Sequence, residues 1–533
     1  MNIFSDRKWI QGCGILFLLI GAVYSNAFHP DFLLDDYVHL IGSGNLESIG
    51  FFDLFTKDFG GFFRPMGFVF LKVVLEIFGL NPLAYYLLNL GLFYIVCVLF
   101  YYLLRECTRR EDVSLLTVIL FAVHPINAFL INYKTAGNNT IFVIFMLIAT
   151  IFFWKYLQDQ KKRHWYGLSL LFYFISLLAH EMAFMLPVYL FLIYHFFRDE
   201  RLRKKIGLLL PYLGVFLIYY LLRQHVLIED KGAQMFLADV GILSRLATYM
   251  KLLMWYFSKL LWPVNILFLW DEQILGRTGA WNVLWFLGVG LTFWIWKNCK
   301  KEVTFGWLLF LAGLAPGVMA SFVYTVRIKT ALIEPHWFTF SSTGFFLILS
   351  YGLIALKEKI NKPQIGYGLM IGFIILLGIL TRTHNHIWKD DRTYCTYWLE
   401  KNALNGTPWH HLAKDYRKDW DKGLNPDQYK TCDDICRVAI TYHITNQAQT
   451  TLDYYLMAEQ KQKPCVCAVY GAAVLFADLE NMQQQAEQLW QQGRQMAPEL
   501  EPVYQHWLKV FEYRGHKTSF LELKSYWPGP TEE

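Results

Sequence analysis

The sequence predicts an all-α fold: a polytopic membrane protein with about 11 transmembrane helices, followed by a C-terminal soluble domain of TPR-like helical hairpins. Three observations carry this. The 533-residue chain is 55% hydrophobic, 18% aromatic and only 17% charged, where soluble proteins carry about a quarter charged residues. Apolar blocks long enough to cross a bilayer recur as far as about residue 381. Beyond that point the chain turns polar, with helical patterning and no strand signal.

The first block, Trp9–Phe28, follows Arg7 and Lys8 and carries a passable cleavage site at Ser25-Asn26-Ala27, so a signal peptide is its rival. Its length and the many blocks after it favour a retained first helix. The next candidates are Pro82–Leu104, Val113–Ile131, Thr140–Tyr156, Trp165–Ala179, Met182–Phe197 and Ile206–Leu222. Ala280–Trp296, Val303–Val323, Trp337–Leu356 and Ile365–Leu380 complete the set. Basic clusters sit at Arg7-Lys8, Arg105 with Arg109-Arg110, Lys161 to Arg163, Arg201 to Lys205, Lys297 with Lys300-Lys301, and Lys357 to Lys362. With the N-terminus inside, every cluster falls on the cytoplasmic side, as the positive-inside rule expects. Tyr249–Trp270, with Lys251, Lys259 and Pro263, would invert all later clusters if it crossed. It is therefore placed as a re-entrant or interfacial helix on the outer face.

This parity divides the chain into a transmembrane domain, residues 1–381, with an outer loop at 28–81, and an extracytoplasmic helical domain, residues 382–533. The net charge of +6 resides mostly in the cytoplasmic clusters, and no basic patch interleaved with aromatics suggests nucleic acid. In the tail, Ala486, Trp490, Gly493 and Pro498 have the spacing of the second helix of a tetratricopeptide repeat. Five of the nine cysteines, Cys395, Cys432, Cys436, Cys465 and Cys467, lie there too. An oxidising outer space predicts one or two disulfides between helices rather than zinc, for which no ligand spacing fits well. His384, His386, His410 and His411 read as interfacial histidines.

The chemistry-bearing stretch is "PDFLLDDYVHL", Pro30–Leu40, directly after the first apolar block. Asp35 and Asp36 sit there among aromatic and aliphatic residues; a solvated pair is the bland reading. The same outer loop carries "GGFFRPMG", Gly60–Gly67, with Arg64 before a proline, and Glu181 falls in a tight turn between the fifth and sixth blocks. Charges at such positions are costly unless paired or functional.

Taken in order, the Asp pair, the aromatic-Arg-Pro and "FGLNPLAYYLLN" (Phe78–Asn89) are followed by "HPINAFLINYKTAGNN" (His124–Asn139). "LLAHEMAFMLPVYL" (Leu177–Leu190) and "EPHWFTFSSTGFFLIL" (Glu334–Leu349) come next. This series resembles the GT-C superfamily of membrane glycosyltransferases, and more narrowly the transmembrane-and-TPR O-mannosyltransferase-like proteins and their bacterial relatives. The resemblance implies transfer of a sugar from a polyprenyl phosphate or pyrophosphate carrier to a hydroxyl on the outer face, with inversion. Asp35 or Asp36 would be the base, and cations would stabilise the departing phosphate. Glu181 would orient the sugar or join the pair around a divalent cation, Mg or Mn, which some GT-C enzymes need. Arg64, His124, Lys134, His180, Arg327 and His336 are the implied substrate contacts, with helix capping beside Pro125 as the rival role for His124.

Two positions depart from the bacterial pattern: His180 stands where a basic residue is common beside the acid, and Gly137-Asn138 replaces Gly-Arg. They imply altered specificity or lost activity. The acceptor is expected to be an extracytoplasmic protein or peptide; a glycan or lipid acceptor and a non-catalytic scaffold or transporter are the rivals. The expected location is a bacterial inner membrane, with the C-terminal domain periplasmic and the endoplasmic reticulum as the alternative.

Overall fold

The computed structural model describes residues 6–34, 36, 40, 46, 49–57, 63–226, 241–273, 279–328, 330–360, 362–401, 432, 435–436, 439–440, 443, 448–461, 463–477, 482–501, 504–505 and 508, and omits the side chains of 203, 271, 273, 279–280, 318–332, 399 and 499. It divides into two units, Met1–Asp390 and Asp391–Glu533.

The first unit begins with α1 (Arg7–Tyr24), α2 (Asp53–Thr56), α3 (Pro65–Phe78), α4 (Pro82–Thr108), α5 (Glu111–Val123), α6 (Phe129–Asn132), α7 (Gly137–Gln158), α8 (Arg163–Ala179), α9 (Leu186–Phe197) and α10 (Leu202–Val226). It continues with α11 (Ile242–Leu261), α12 (Gly279–Asn298), α13 (Lys301–Ile328), α14 (Thr339–Lys359) and α15 (Pro363–Asn385). Local chemistry sets the starts. Asp6 caps α1 by accepting the Lys8 N–H at 3.0 Å, and Asn81 caps α4 by accepting that of Leu83 at 3.1 Å. Proline opens α3, α4 and α15, where its missing N–H costs nothing.

Every predicted apolar block coincides with a helix, but the membrane count differs. Five described helices are long and apolar enough to cross: Pro82–Thr108, Lys134–Gln158, Lys204–Val226, Pro335–Lys359 and Pro363–Trp388. The pair Glu111–Val123 and Pro125–Asn132 makes a sixth if taken as one span, although it bends by 63°. The predicted single span Val113–Ile131 is therefore broken. Pro125 supplies no N–H and forces the residue before it out of the helical region, and His124 sits at φ −81°, ψ 129°. The predicted block Met182–Phe197 lies in the apolar helix Glu181–Phe197, which is shorter than these five and comprises a 3-10 turn followed by α9.

One element lies outside the all-α expectation. Strands β1 (Trp270–Gln273) and β2 (Thr330–Ile333) form an antiparallel ribbon pairing Trp270 with Ile333. The block expected to stay at the interface is α11, followed by an irregular turn. Its two lysines are satisfied locally: Lys251 pairs with Glu272 of β1 at 2.5 Å, and Lys259 donates to the Val264 carbonyl at 2.9 Å.

Helices α13 and α14 meet through small residues. A Cβ on Gly344 would overlap the Gly306 carbonyl oxygen and lie 2.7 Å from the Phe310 nitrogen. Both are backbone atoms, so only separation of the helices relieves the overlap. Gly344→Ala is expected to destabilise the fold by about 1–3 kcal/mol. Unchanged melting in detergent would show that this seam is not tight.

The second unit holds α16 (Asp391–Lys401), α17 (Ala448–Lys461), α18 (Val466–Ala477) and α19 (Gln483–Met496). Ala486, Trp490 and Gly493 of the repeat-like spacing are buried. A Cβ on Gly493 would strike the Tyr470 ring of α18 at 2.5 Å, so glycine permits the close approach of these two helices. Cys432–Cys465 and Cys436–Cys467 form two disulfides, tying one segment twice to the start of α18, and Cys395 takes part in neither.

Candidate active site

Of the residues singled out in the sequence, Asp36, Arg64, Lys134, His180 and Glu181 gather at one end of the first unit, where α3, α4 and α7 begin and α8 ends. They form two neighbouring groups.

The first is built on Asp36, which is fully buried. A tight turn carries it: the Asp36 N–H donates to the Leu33 carbonyl at 2.9 Å, and the Leu33 N–H returns a bond to Asp36 Oδ2 at 3.0 Å. Leu34 inside this turn has φ +50°, a left-handed conformation that costs a branched residue about 1–2 kcal/mol. Asp36 Oδ1 accepts from both the backbone N–H and the hydroxyl of Thr135, each at 2.8 Å. The carboxyl thus pins the stretch after α1 to the segment leading into α7. Burial pushes its pKa up to about 6, while bonds from Leu33 and Thr135 and the charge of Lys134 hold it there.

Lys134 is buried beside it, with Nζ 3.2 Å from His29 Nε2 and 5.9 Å from the Phe28 ring centroid. His29 is also buried, its Nε2 2.8 Å from the Asn132 carbonyl oxygen. Burial, reinforced by the Lys134 charge, pushes the His29 pKa down to about 4. From α4, Asn89 donates to the carbonyls of Tyr133 and Lys134 at 2.8 and 3.1 Å, fixing the turn from below.

The second group is an ion pair. Arg64 Nε and Nη2 donate to the two oxygens of Glu181 at 2.7 and 2.6 Å, a bidentate fork between the start of α3 and the turn after α8. Burial pushes the Glu181 carboxyl up, but Arg64 and His180 more than offset it and hold it well below the usual carboxylate range. His180 is buried, accepts the Met182 N–H on Nδ1 at 3.2 Å, and lies against Phe142. Burial, then the Arg64 charge, pushes it down to about 3, so its ring is neutral at pH 7.

The two groups are joined through Gly67, one turn into α3. A Cβ there would overlap the Asn138 side chain of α7 and lie 3.0 Å from the Ala179 carbonyl oxygen, so α3 meets α8 at backbone distance and α7 through the Asn138 amide. Asn138 Oδ1 is itself buried without a hydrogen-bond partner. His336 stacks on Phe129 and Phe268, with Nε2 3.2 Å from Glu334 and Nδ1 unpartnered.

His124 is employed otherwise. Its Nδ1 accepts the Ile126 N–H at 3.1 Å and its Nε2 lies 3.3 Å from the Leu260 carbonyl oxygen, so it caps the bend at Pro125. Arg327 lies in α13, but its side chain is outside the described residues, as is Asp35 altogether. Arg64 and Glu181, taken from the sequence as a phosphate contact and a separate acid, are partners. Sequence reasoning passed over His29, Asn89 and Thr135. Asn89 offered a signal, being an amide inside a span-length apolar block; Thr135 offered none.

A shared cation finds no ready donor set among the described residues. Glu181 spends both oxygens on Arg64, and Asp36 spends both on Thr135 and Leu33. The grouping of metal-ligating side chains found among the described residues is Cys432, Cys465 and Cys467, which the disulfides already engage.

Residues 64–227 match the family model of dolichyl-phosphate-mannose-protein mannosyltransferase. That stretch includes Arg64, His124, Lys134, His180 and Glu181, while Asp36 precedes it. The protein O-mannosyl-transferase TMTC3 of Mus musculus is 21% identical over an alignment of 574 positions, covering 91% of this chain. The chain spans about 60% of that relative's length. Together with the apolar helical fold, the two matches support a protein of the GT-C, O-mannosyltransferase-like kind.

Proposed function

We propose that this chain is a glycosyltransferase that moves a sugar, mannose first among candidates, from a polyprenyl-phosphate carrier to a hydroxyl of an extracytoplasmic protein. The observation that carries the reading is Asp36: a buried carboxyl raised to about 6, beside Lys134, at one end of an apolar helical bundle. A carboxylate of raised pKa is ionised at neutral pH yet basic enough to take a hydroxyl proton. The acceptor oxygen forms the new bond to the anomeric carbon, the carbon–oxygen bond to phosphate breaks, and the proton passes to the carboxylate. One displacement inverts the anomeric centre. Lys134 and Arg64 are the cations placed to offset charge growing on the departing phosphate.

The burial of Asp36 also favours a second reading. Three donors already hold the carboxyl, so Asp36 would position the turn and Asp35 would take the proton. The charge bookkeeping supports a C-terminal unit on the side away from the cytoplasm, and the paired disulfides suit an oxidising compartment there. The short helical tail and the Glu334-Pro335-His336-Trp337 stretch favour a bacterial inner membrane over the endoplasmic reticulum. The test is transfer by purified protein from short-chain polyprenyl-phosphate sugars to a Ser/Thr peptide or a glycan, with and without EDTA. Transfer to peptide supports the reading, and loss with EDTA would add a metal. Failure with every donor, together with normal function of Asp35→Asn and Asp36→Asn in cells, would leave a scaffold.

A further inference from the structure

A pocket of about 660 Å3 lies at the far end of the same helices. It is bounded by the end of α4, the start of α5, the end of α7 and the start of α8. Asn89, beneath the Lys134 turn, and Arg109, at the pocket, are 20 residues apart along α4 and its cap, a span of about 30 Å. The pocket is therefore remote from the acid site.

Its walls hold four cations, Arg105, Arg109, Lys155 and Lys162, against three acids, Glu106, Glu111 and Asp159. Most are matched internally. Arg105 pairs with Asp6 and, through Nε at 2.5 Å, with Glu111. Lys162 stands 3.4 Å from Asp159, and Glu106 accepts from the Gln158 amide at 2.9 Å. Among the described residues, Arg109 and Lys155 have no carboxylate partner. Lys155 is held against an aromatic wall, its Nζ 4.7 Å from the Trp165 ring centroid. Arg109 caps α4 at φ +58°, a position that usually falls to glycine, and it lines the pocket.

Two unneutralised cations with flanking Trp165 and Tyr102, at the ends of span-length apolar helices, mark headgroup depth in a bilayer. Basic pockets between transmembrane helices bind anionic headgroups. Two cations without a carboxylate partner among the described residues suit a single phosphodiester set between them. Glu106 and Asp159 would accept from hydroxyls and would repel further negative charge. We propose that this pocket binds the headgroup of an anionic phospholipid of the phosphatidylglycerol type, with the phosphate between Arg109 and Lys155 and the glycerol hydroxyls towards Glu106 and Asp159. The inference rests on the membrane reading of the fold and not on the transfer reaction.

The test is native mass spectrometry of the full chain, offered phosphatidylglycerol, phosphatidylethanolamine or free glycerol phosphate. The wild type is expected to retain phosphatidylglycerol over phosphatidylethanolamine by about tenfold. The double variant Arg109→Gln/Lys155→Gln should bring that ratio near one. Lys155→Arg should restore most of it, and Arg110→Gln, on a cation already paired with Asp112, should leave it unchanged. Equal retention of both lipids by the wild type, or an unchanged ratio in a folded double variant, overturns the proposal. Binding of glycerol phosphate as strongly as of the lipid overturns the lipid source and assigns a soluble phosphate ester.

Discussion

Asp36→Asn is expected to lower sugar transfer by about 10²–10⁴-fold if Asp36 takes the acceptor's proton. The asparagine keeps an acceptor for Thr135 but turns an N–H₂ towards the Leu33 N–H, so one of three bonds is lost as well. The pH dependence separates the two consequences. In the wild type, transfer should rise with pH and level off above about 6, where the buried Asp36 carboxyl is ionised. The neighbours do not confuse that limb. Glu181 is held ionised by Arg64, and His29, pushed down to about 4, stays neutral. Stability runs the other way. Because the folded state raises the Asp36 pKa above its ordinary 3.8, it binds that proton more tightly than the unfolded chain does. The associated stability is fully present below about 4 and is lost as pH rises through about 6. Asp36→Asn should flatten this slope in melting curves. If the variant keeps the acidic limb and most of its rate while Asp35→Asn loses transfer, Asp36 is a positioning residue and Asp35 the base.

Breaking the Arg64–Glu181 fork should cost transfer about 10²–10³-fold, and the two residues should behave as one. Arg64→Lys keeps the charge but replaces a planar fork by a point charge, so it should recover only part of the rate of Arg64→Ala. Glu181→Gln leaves Arg64 with a weaker partner and swings the guanidinium away from its place at the start of α3. The double variant Arg64→Ala/Glu181→Gln should be no worse than the poorer single variant, since each single change already destroys the pair. Additive losses would instead mean that Arg64 and Glu181 contact the substrate separately, as the sequence suggests when each is read alone.

Much of the fold was legible in the chain. Apolar block lengths located the helices, and their ends followed local signals such as Asn81-Pro82 at the start of α4 and Pro65 at the start of α3. The ribbon of β1 and β2 was not legible, because its strands are 4 residues each and lie 56 residues apart; neither is long enough to show a period of its own. The bend at His124-Pro125 was visible as a proline, yet a run of apolar residues on both sides disguised it as one span.

Sequence alone determined the helical class, the order of the apolar blocks and the candidate residues for the site. Those properties depend on composition and on neighbours within a few positions. Tertiary structure decided the partnerships. It joined Arg64 to Glu181 across 117 positions, hung Asp36 on Thr135 across 99, and brought His29 to Lys134 across 105. It also withdrew His124 into a cap and chose Cys432–Cys465 and Cys436–Cys467 among the pairings open to the tail. A charged group in a low-dielectric interior takes its pKa and its role from whichever group the packing sets against it, and that neighbour is seldom near in sequence.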